Sequence, residues 1–264
     1  PAMNFLARLW DAIVGELRVG DIGEAMRDAI AVREAFHFSL LGIRIVVADS
    51  VVVTWGVMVL LAIAAFFLGR RLKEIPKGMQ IAVEGLVDGV VSVCANAMDR
   101  KLAERTAPYV GTIGLFIAFS NLTSILKIPP PAKNPAFAIA LALATIFYVI
   151  ATGIRMVGLK GFWQSLLYPN KALLPFKLLD YMIKPISLSL RLFGNVFGAF
   201  ILMEFIYIVV PAVIPGVLGL WFDIADGILQ GLIFAYLTVI YIGEILENAH
   251  EAQARAKLQI RRRT

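Results

Sequence analysis

Lys184-Pro-Ile-Ser-Leu-Ser-Leu-Arg-Leu-Phe-Gly-Asn195 runs on into the apolar residues 196–210 and sets one cation, Arg191, inside a stretch otherwise fit for lipid. No other Lys or Arg follows until Arg255. An arginine near a bilayer centre costs between about 2.5 and 17 kcal/mol, and such residues mark functional positions. The guanidinium does not deprotonate in proteins, so it requires an anion, a wet cavity or carbonyl partners.

On a helix, Lys184 and Ser187 precede Arg191 by seven and four residues, and Asn195 and Gly198 follow by four and seven. All five then share one stripe. Gly194 and Gly198 thin the helix beside the arginine, so a neighbouring surface can come close. A stripe with a fixed positive charge, amide and hydroxyl groups and small residues suits a passing helix that carries carboxylates.

The string KPISLSLRLFGN resembles the signature of subunit a of F-type ATP synthases, the stator channel subunit beside the rotating c-ring. The match is long and ungapped. The resemblance implies that Arg191 faces the essential carboxylates of the ring. The bland alternative is an arginine that snorkels or pairs structurally in another membrane bundle.

The 264 residues are 59% hydrophobic and 17% charged, with a mean hydropathy of +0.80, which excludes an ordinary soluble domain. The net charge of +6 does not imply nucleic acid, because Lys and Arg sit in short loops, where orientation signals sit. One cysteine, Cys94, forms no internal disulfide, and two histidines leave no zinc constellation. Neither a metal nor a cofactor is expected. No signal-peptide cleavage pattern is evident at the start.

These features predict an all-α polytopic membrane protein of about five transmembrane helices plus one amphipathic interfacial helix, the last two spans being long and tilted. Residues 1–48 read as an external amphipathic segment and 49–264 as a single membrane domain. Within 1–36, apolar residues recur at helical spacing on either side of Gly20–Asp21, giving two short amphipathic segments at the membrane surface or on a partner, or else a mobile extension. Residues 51–68 form a clean span, opened by Asp49 and closed by Arg70, Arg71, Lys73 and Lys77. Residues 80–98 carry Glu84, Asp88, Ser92 and Asn96 at four-residue steps, which argues for a helix at the cytoplasmic interface. Residues 109–126 and 136–157 form a hairpin around Pro129-Pro-Pro131. Residues 185–210 and 220–246 are the last spans, and the stretch 178–210 is long enough to demand tilt, a bend or interfacial entry. Five crossings put the basic loops inside, the N-terminus outside and the C-terminus in the cytoplasm. If 80–98 also spanned, the basic clusters at 70–77 and 100–105 would fall on opposite sides.

The last span holds a second polar stripe. Asp223, Asp226, Tyr241 and Glu244 lie −7, −4, +11 and +14 residues from Gln230. All fall within about 40° of one face on a straight helix. Three acids, an amide and a phenol on such a face read as a wet, ion-accessible path. The string from Gln230 to Phe234 also resembles the family's glutamine segment, which implies that Gln230 orients the arginine across the helix pair.

Other positions depart from the best-known bacterial pattern. Phe200 stands nine residues after Arg191 where that pattern has a glutamate, and Asp223 stands where it has a histidine. Asp223 and Asp226 are candidates to supply the missing acid. Glu204 lies about 220° around the helix from Arg191, so it either lines an outer vestibule or pairs structurally. Asn121 and Ser124 are candidates for an outer entrance, where the family often has an acid near Ser124 and polar groups near Asn134. Ordinary interhelical hydrogen bonding is the alternative for Asn121. Glu247 and His250 read as solvated tail residues.

The resemblance implies a non-catalytic, ion-translocating (proton) stator subunit with two half-channels. Its partners would be the c-ring, peripheral-stalk b subunits, the catalytic head through the stalks, and the lipid of a bacterial plasma membrane. No phosphate loop of the GxxxxGK[ST] type is present, so nucleotide chemistry falls to other chains. Two competing classes remain. One is a self-contained secondary transporter that binds an anionic substrate at Arg191, but such folds usually show internal repeats, and none is visible here. The other is a passive scaffold, for which two polar stripes would serve nothing.

Overall fold

The computed structural model describes residues 34–40, 43–70, 72–126, 128–168, 171–209, 219 and 221–261. The amphipathic segments expected within residues 1–30 and most of the uncharged turn at 211–219 lie outside the described residues.

The first described element departs from the all-helical expectation. β1 (Glu34–Leu40) and β2 (Ile43–Ala48) pair antiparallel, with Leu40 opposite Ile43 and an irregularity between Glu34 and Phe36. Phe36, Phe38 and Leu40 alternate with His37 and Ser39, and β2 is rich in β-branched residues. This period of two suits a strand. The hairpin ends directly at α1 (Asp49–Gly69). Of this apolar helix only Ser50 and Val57 are buried by the rest of the chain, so its surface is left to lipid or to a partner.

α2 (Met79–Ala95) follows a turn in which Gly78 adopts φ +63°. The Gln80 side chain closes that turn: its Nε2 donates to the Lys73 carbonyl at 2.8 Å, and its Oε1 accepts from the Lys73 amide at 3.0 Å. α3 (Arg100–Leu122) ends in a 3-10 turn, Thr123–Leu126. After the proline corner, Asn134 caps α4 (Pro135–Leu167) by accepting from the Ala136 amide. Its Nδ2 also donates to Ser50 Oγ at 3.0 Å, tying the starts of α1 and α4 together. α4 breaks at Gly158, which has φ +74°. α5 (Leu174–Val209) is continuous for 36 residues, with Pro185 inside it. At 1.5 Å per residue it is about 54 Å long, well beyond a ~30 Å hydrocarbon core, which accords with the expected tilt. A π-helical turn, Phe222–Asp226, leads into α6 (Gly227–Arg261).

Among the described residues, five helices are long and apolar enough to cross a membrane: Asp49–Gly69, Arg100–Leu126, Pro135–Leu167, Leu174–Met203 and Ile224–Ala252. The helices run longer than the expected spans, because polar turns at their basic ends continue the same helices. α2 is not among the five.

α6 is the hub and packs extensively on both α3 and α4, whereas α5 leans on α4 and meets α6 sparingly. Lipid tails are as apolar as the side chains, so close backbone approach holds such helices together. A Cβ on Gly231 would lie 2.5 Å from the Gly114 carbonyl oxygen, and one on Gly243 would lie 3.0 Å from that of Ala97. One apolar core gathers Cys94, Met98, Val110, Val149, Val239 and Ile242. The other gathers Ile117, Ala142, Ile146, Leu188, Leu192 and Phe234.

Candidate functional site

α5 buries Leu188, Leu192 and Val196 at four-residue steps against its neighbours. That anchored face fixes where the polar stripe points. Arg191 stands at its flank, half-buried, with no ion pair or hydrogen bond among the described residues. Above it, Gly194, Asn195 and Gly198 are exposed, and a Cβ on either glycine would meet nothing within 4 Å. The surface beside the arginine is therefore both thin and open.

The stripe divides below Arg191. Ser187 is half-buried, but Lys184 turns inward and is only 7% exposed. Its Nζ lies 2.7 Å from Asp180 Oδ2 and 2.7 Å from Glu244 Oε2. It also sits over two rings, 5.0 Å from the centroid of Tyr181 and 5.1 Å from that of Tyr241. Lys184 and Glu244, read from different helices, thus meet directly. Nearby, Lys177 Nζ donates to the Ser165 carbonyl at 2.8 Å and to Asn248 Oδ1 at 3.1 Å.

Mid-way along the pair, Asn195 Nδ2 donates to Gln230 Oε1 at 3.0 Å. Gln230 is 1% exposed, and its Nε2 has no partner among the described residues. The structure therefore joins Asn195 with Gln230, and Lys184 with Glu244 and Tyr241, and sets Arg191 between the two links. Lys184, Arg191, Asp180 and Glu244 all lie within electrostatic reach of the Tyr241 phenol.

The second stripe holds as one α-helical face only from Gln230 onward. Asp223 and Asp226 belong to the π-helical turn, whose i→i+5 bonding breaks the 3.6-residue phase, so the single straight face expected through Asp223 is corrected. Asp226 is half-buried, one residue from Gly227. The side chains of Asp223 and Glu204 lie outside the described residues. Glu247 and His250 are exposed, in line with solvated tail chemistry.

At the same end, Asn121 packs against Gly227: a Cβ on that glycine would be 3.2 Å from Asn121 Cβ. Asn121 is 4% exposed, yet among the described residues neither its Oδ1 nor its Nδ2 has a partner, and neither has the buried Ser120 Oγ. Ser124 Oγ donates to the Asn121 carbonyl at 2.6 Å.

Sequence reasoning missed Asp180, although its place four residues before Lys184 is a plain helical pairing signal. It missed the Lys177–Asn248 contact, which no spacing within one helix reveals.

A family model described as ATP synthase A chain matches residues 51–243, which take in Asn121, Arg191 and Gln230. The chain belongs to that family. It is 32% identical over 214 residues to ATP synthase subunit a 2 of Pelobacter propionicus, covering 81% of this chain and 91% of the relative. It is 31% identical to ATP synthase subunit a of Moorella thermoacetica, covering 81% and 96%. It is also 31% identical to a protein of Propionigenium modestum named ATP synthase subunit a, sodium ion specific, covering 74% and 73%. As a member of the ATP synthase A chain family, this is a membrane protein and a component of the ATP synthase complex.

Proposed function

We propose that this chain is the stator channel of an F-type ATP synthase and passes protons through two offset half-channels to and from a rotating ring of carboxylates. The supporting observation is the half-buried, unpaired Arg191 on a thin open surface, bracketed by the Asn195–Gln230 and Lys184–Glu244 links. An unpaired cation at membrane depth fits a surface completed by an anionic partner.

In this reading a proton enters from the outer side past Asn121, Ser124 and the Asp223/Asp226 turn, with Glu204 at the vestibule. The unpartnered atoms of Asn121, Ser120 and Gln230 suit a wet path, since buried polar groups without protein partners are where internal water binds. The proton neutralises a ring carboxylate, which then tolerates lipid. After nearly a turn that carboxylate meets the inner half-channel beside Ser187, Lys184, Tyr241 and Glu244 and releases its proton to the cytoplasmic side.

Arg191 favours the ionised carboxylate by opposite charge and stands as a fixed positive barrier between the half-channels. About 2.3 kcal/mol per unit charge is available for each 100 mV. Nucleotide chemistry belongs to the catalytic head, reached through the stalks and b subunits. The chain would sit in a bacterial plasma membrane, its N-terminus outside and C-terminus inside, with residues 1–48 external and α2 along the inner interface.

The test compares wild type with Arg191→Ala in sealed vesicles carrying the whole assembly in sodium-free medium. ATP-driven proton pumping is expected to vanish while passive leak persists or rises. Pumping that survives unchanged would make Arg191 structural and overturn the reading.

A further inference from the structure

α5 and α6 carry the two polar faces, yet they touch each other sparingly, and polar side chains bridge them. Asn195–Gln230 forms the middle bridge. Lys184 lies seven residues below Arg191, about 10 Å along the helix, and forms the inner bridge. The two differ in kind: the first joins neutral amides, whereas the second places one cation between two anions.

The burial pattern of the inner bridge is asymmetric. The Lys184 side chain is 8% exposed, whereas those of Asp180 and Glu244 are 49% and 44% exposed. The ammonium is enclosed by both carboxylates and by the Tyr181 and Tyr241 rings, while both carboxylate side chains stay partly exposed. With Lys177 close by, the group sets two cations against two carboxylates, the more enclosed cation being Lys184 and the partly exposed charges being the carboxylates. α5 contributes Lys177, Asp180, Tyr181 and Lys184 to this group. α6 contributes Tyr241, Glu244 and Asn248, with Arg191 in electrostatic reach of the phenol, and α4 contributes the Ser165 carbonyl.

We propose that Lys184 is a positioning residue that fixes the inner spacing of α5 and α6 around Arg191 and holds Asp180 and Glu244 side by side as the carboxylate rim of the ion exit. The inference rests on the half-channel reading and adds Asp180 to it. A proton leaving the ring passes two partly exposed carboxylates that can accept it away from Arg191. A staple serving stability alone would need one carboxylate, and that one could be buried.

The experiment uses the whole assembly in sealed vesicles and compares Asp180→Asn, Glu244→Gln, Lys184→Arg and Lys184→Met, with Arg191→Ala alongside. It records subunit content, passive leak, and pumping against the pH on the side of the basic loops. Asp180→Asn and Glu244→Gln are expected to assemble normally, to pump about tenfold more slowly and to shift the pH profile, the scale of a lost interaction with a charged group. Lys184→Arg is expected to restore most activity, and Lys184→Met to raise passive leak. Unchanged rates and pH profiles in the two carboxylate variants, with Lys184→Met merely reducing assembled complex, would overturn the proposal and leave a structural staple. Pumping that survives in Arg191→Ala would instead overturn the half-channel reading itself, so the two failures are distinguishable.

Discussion

Arg191 and Lys184 share a stripe and a charge but not an environment. Lys184 is enclosed by carboxylates and rings, while Arg191 meets none of them. Spacing puts both residues on one helical stripe, but it carries no information about which cation another helix will neutralise. Asn121 poses the opposite question, because it is a buried amide whose side chain has no partner among the described residues. Leaving such atoms unsatisfied costs about 1–3 kcal/mol each where the site is dry. Asn121→Leu is therefore expected to leave thermal stability in detergent unchanged or higher while reducing proton pumping. Pumping at the wild-type rate would show that this amide lines no path. Cys94, at the end of α2, is fully buried, and that burial pushes its thiol above the ordinary range. It should resist alkylation at neutral pH in the folded protein and react promptly once unfolded. The sign for stability follows from the neutral form being favoured in the fold. The contribution is complete below the ordinary thiol pKa and fades as pH climbs through the raised value.

At the scale of elements, two kinds of glycine separate folding from function. A Cβ on Gly231 would press on the Gly114 carbonyl at 2.5 Å, forcing α3 and α6 apart. Gly231→Ala should sharply lower the yield and melting temperature of the subunit. Gly194 and Gly198 face open space, so Gly194→Leu and Gly198→Leu should leave the melting temperature of the isolated subunit unaltered yet impair pumping in the assembly. Equal pumping would mean that no partner surface approaches there. The spans were readable because twenty apolar residues in a row have few alternatives in water or lipid. The hairpin of β1 and β2 was less readable, since a largely apolar segment of six or seven residues suits a strand, a short helix or a membrane approach equally. The π-helical turn at Phe222–Asp226 was invisible for another reason. One extra residue per turn changes the hydrogen-bond partner without changing composition, so Asp223 was read in the phase of a straight helix.

For the molecule as a whole, the exposed faces of α1 and α5 and the open surface by Arg191 describe a part, not a self-sufficient carrier. Purified alone in vesicles, the chain is expected to drive no coupled uptake of any anion. Substrate-dependent transport by the isolated chain would favour a secondary transporter instead. The arrangement of helices also bears on manufacture. α6 supplies the surface on which α3 and α4 both rest, yet it is the last of the described helices to leave the ribosome. α1, with two buried residues, loses little by waiting in the bilayer, but α3 and α4 lack their common neighbour until translation passes Gly227. The nascent chain therefore spends most of its synthesis with glycine-lined grooves uncovered. A cellular protease that patrols the membrane has its opportunity in that interval, and a stop codon placed anywhere before α6 should yield a product degraded during biogenesis.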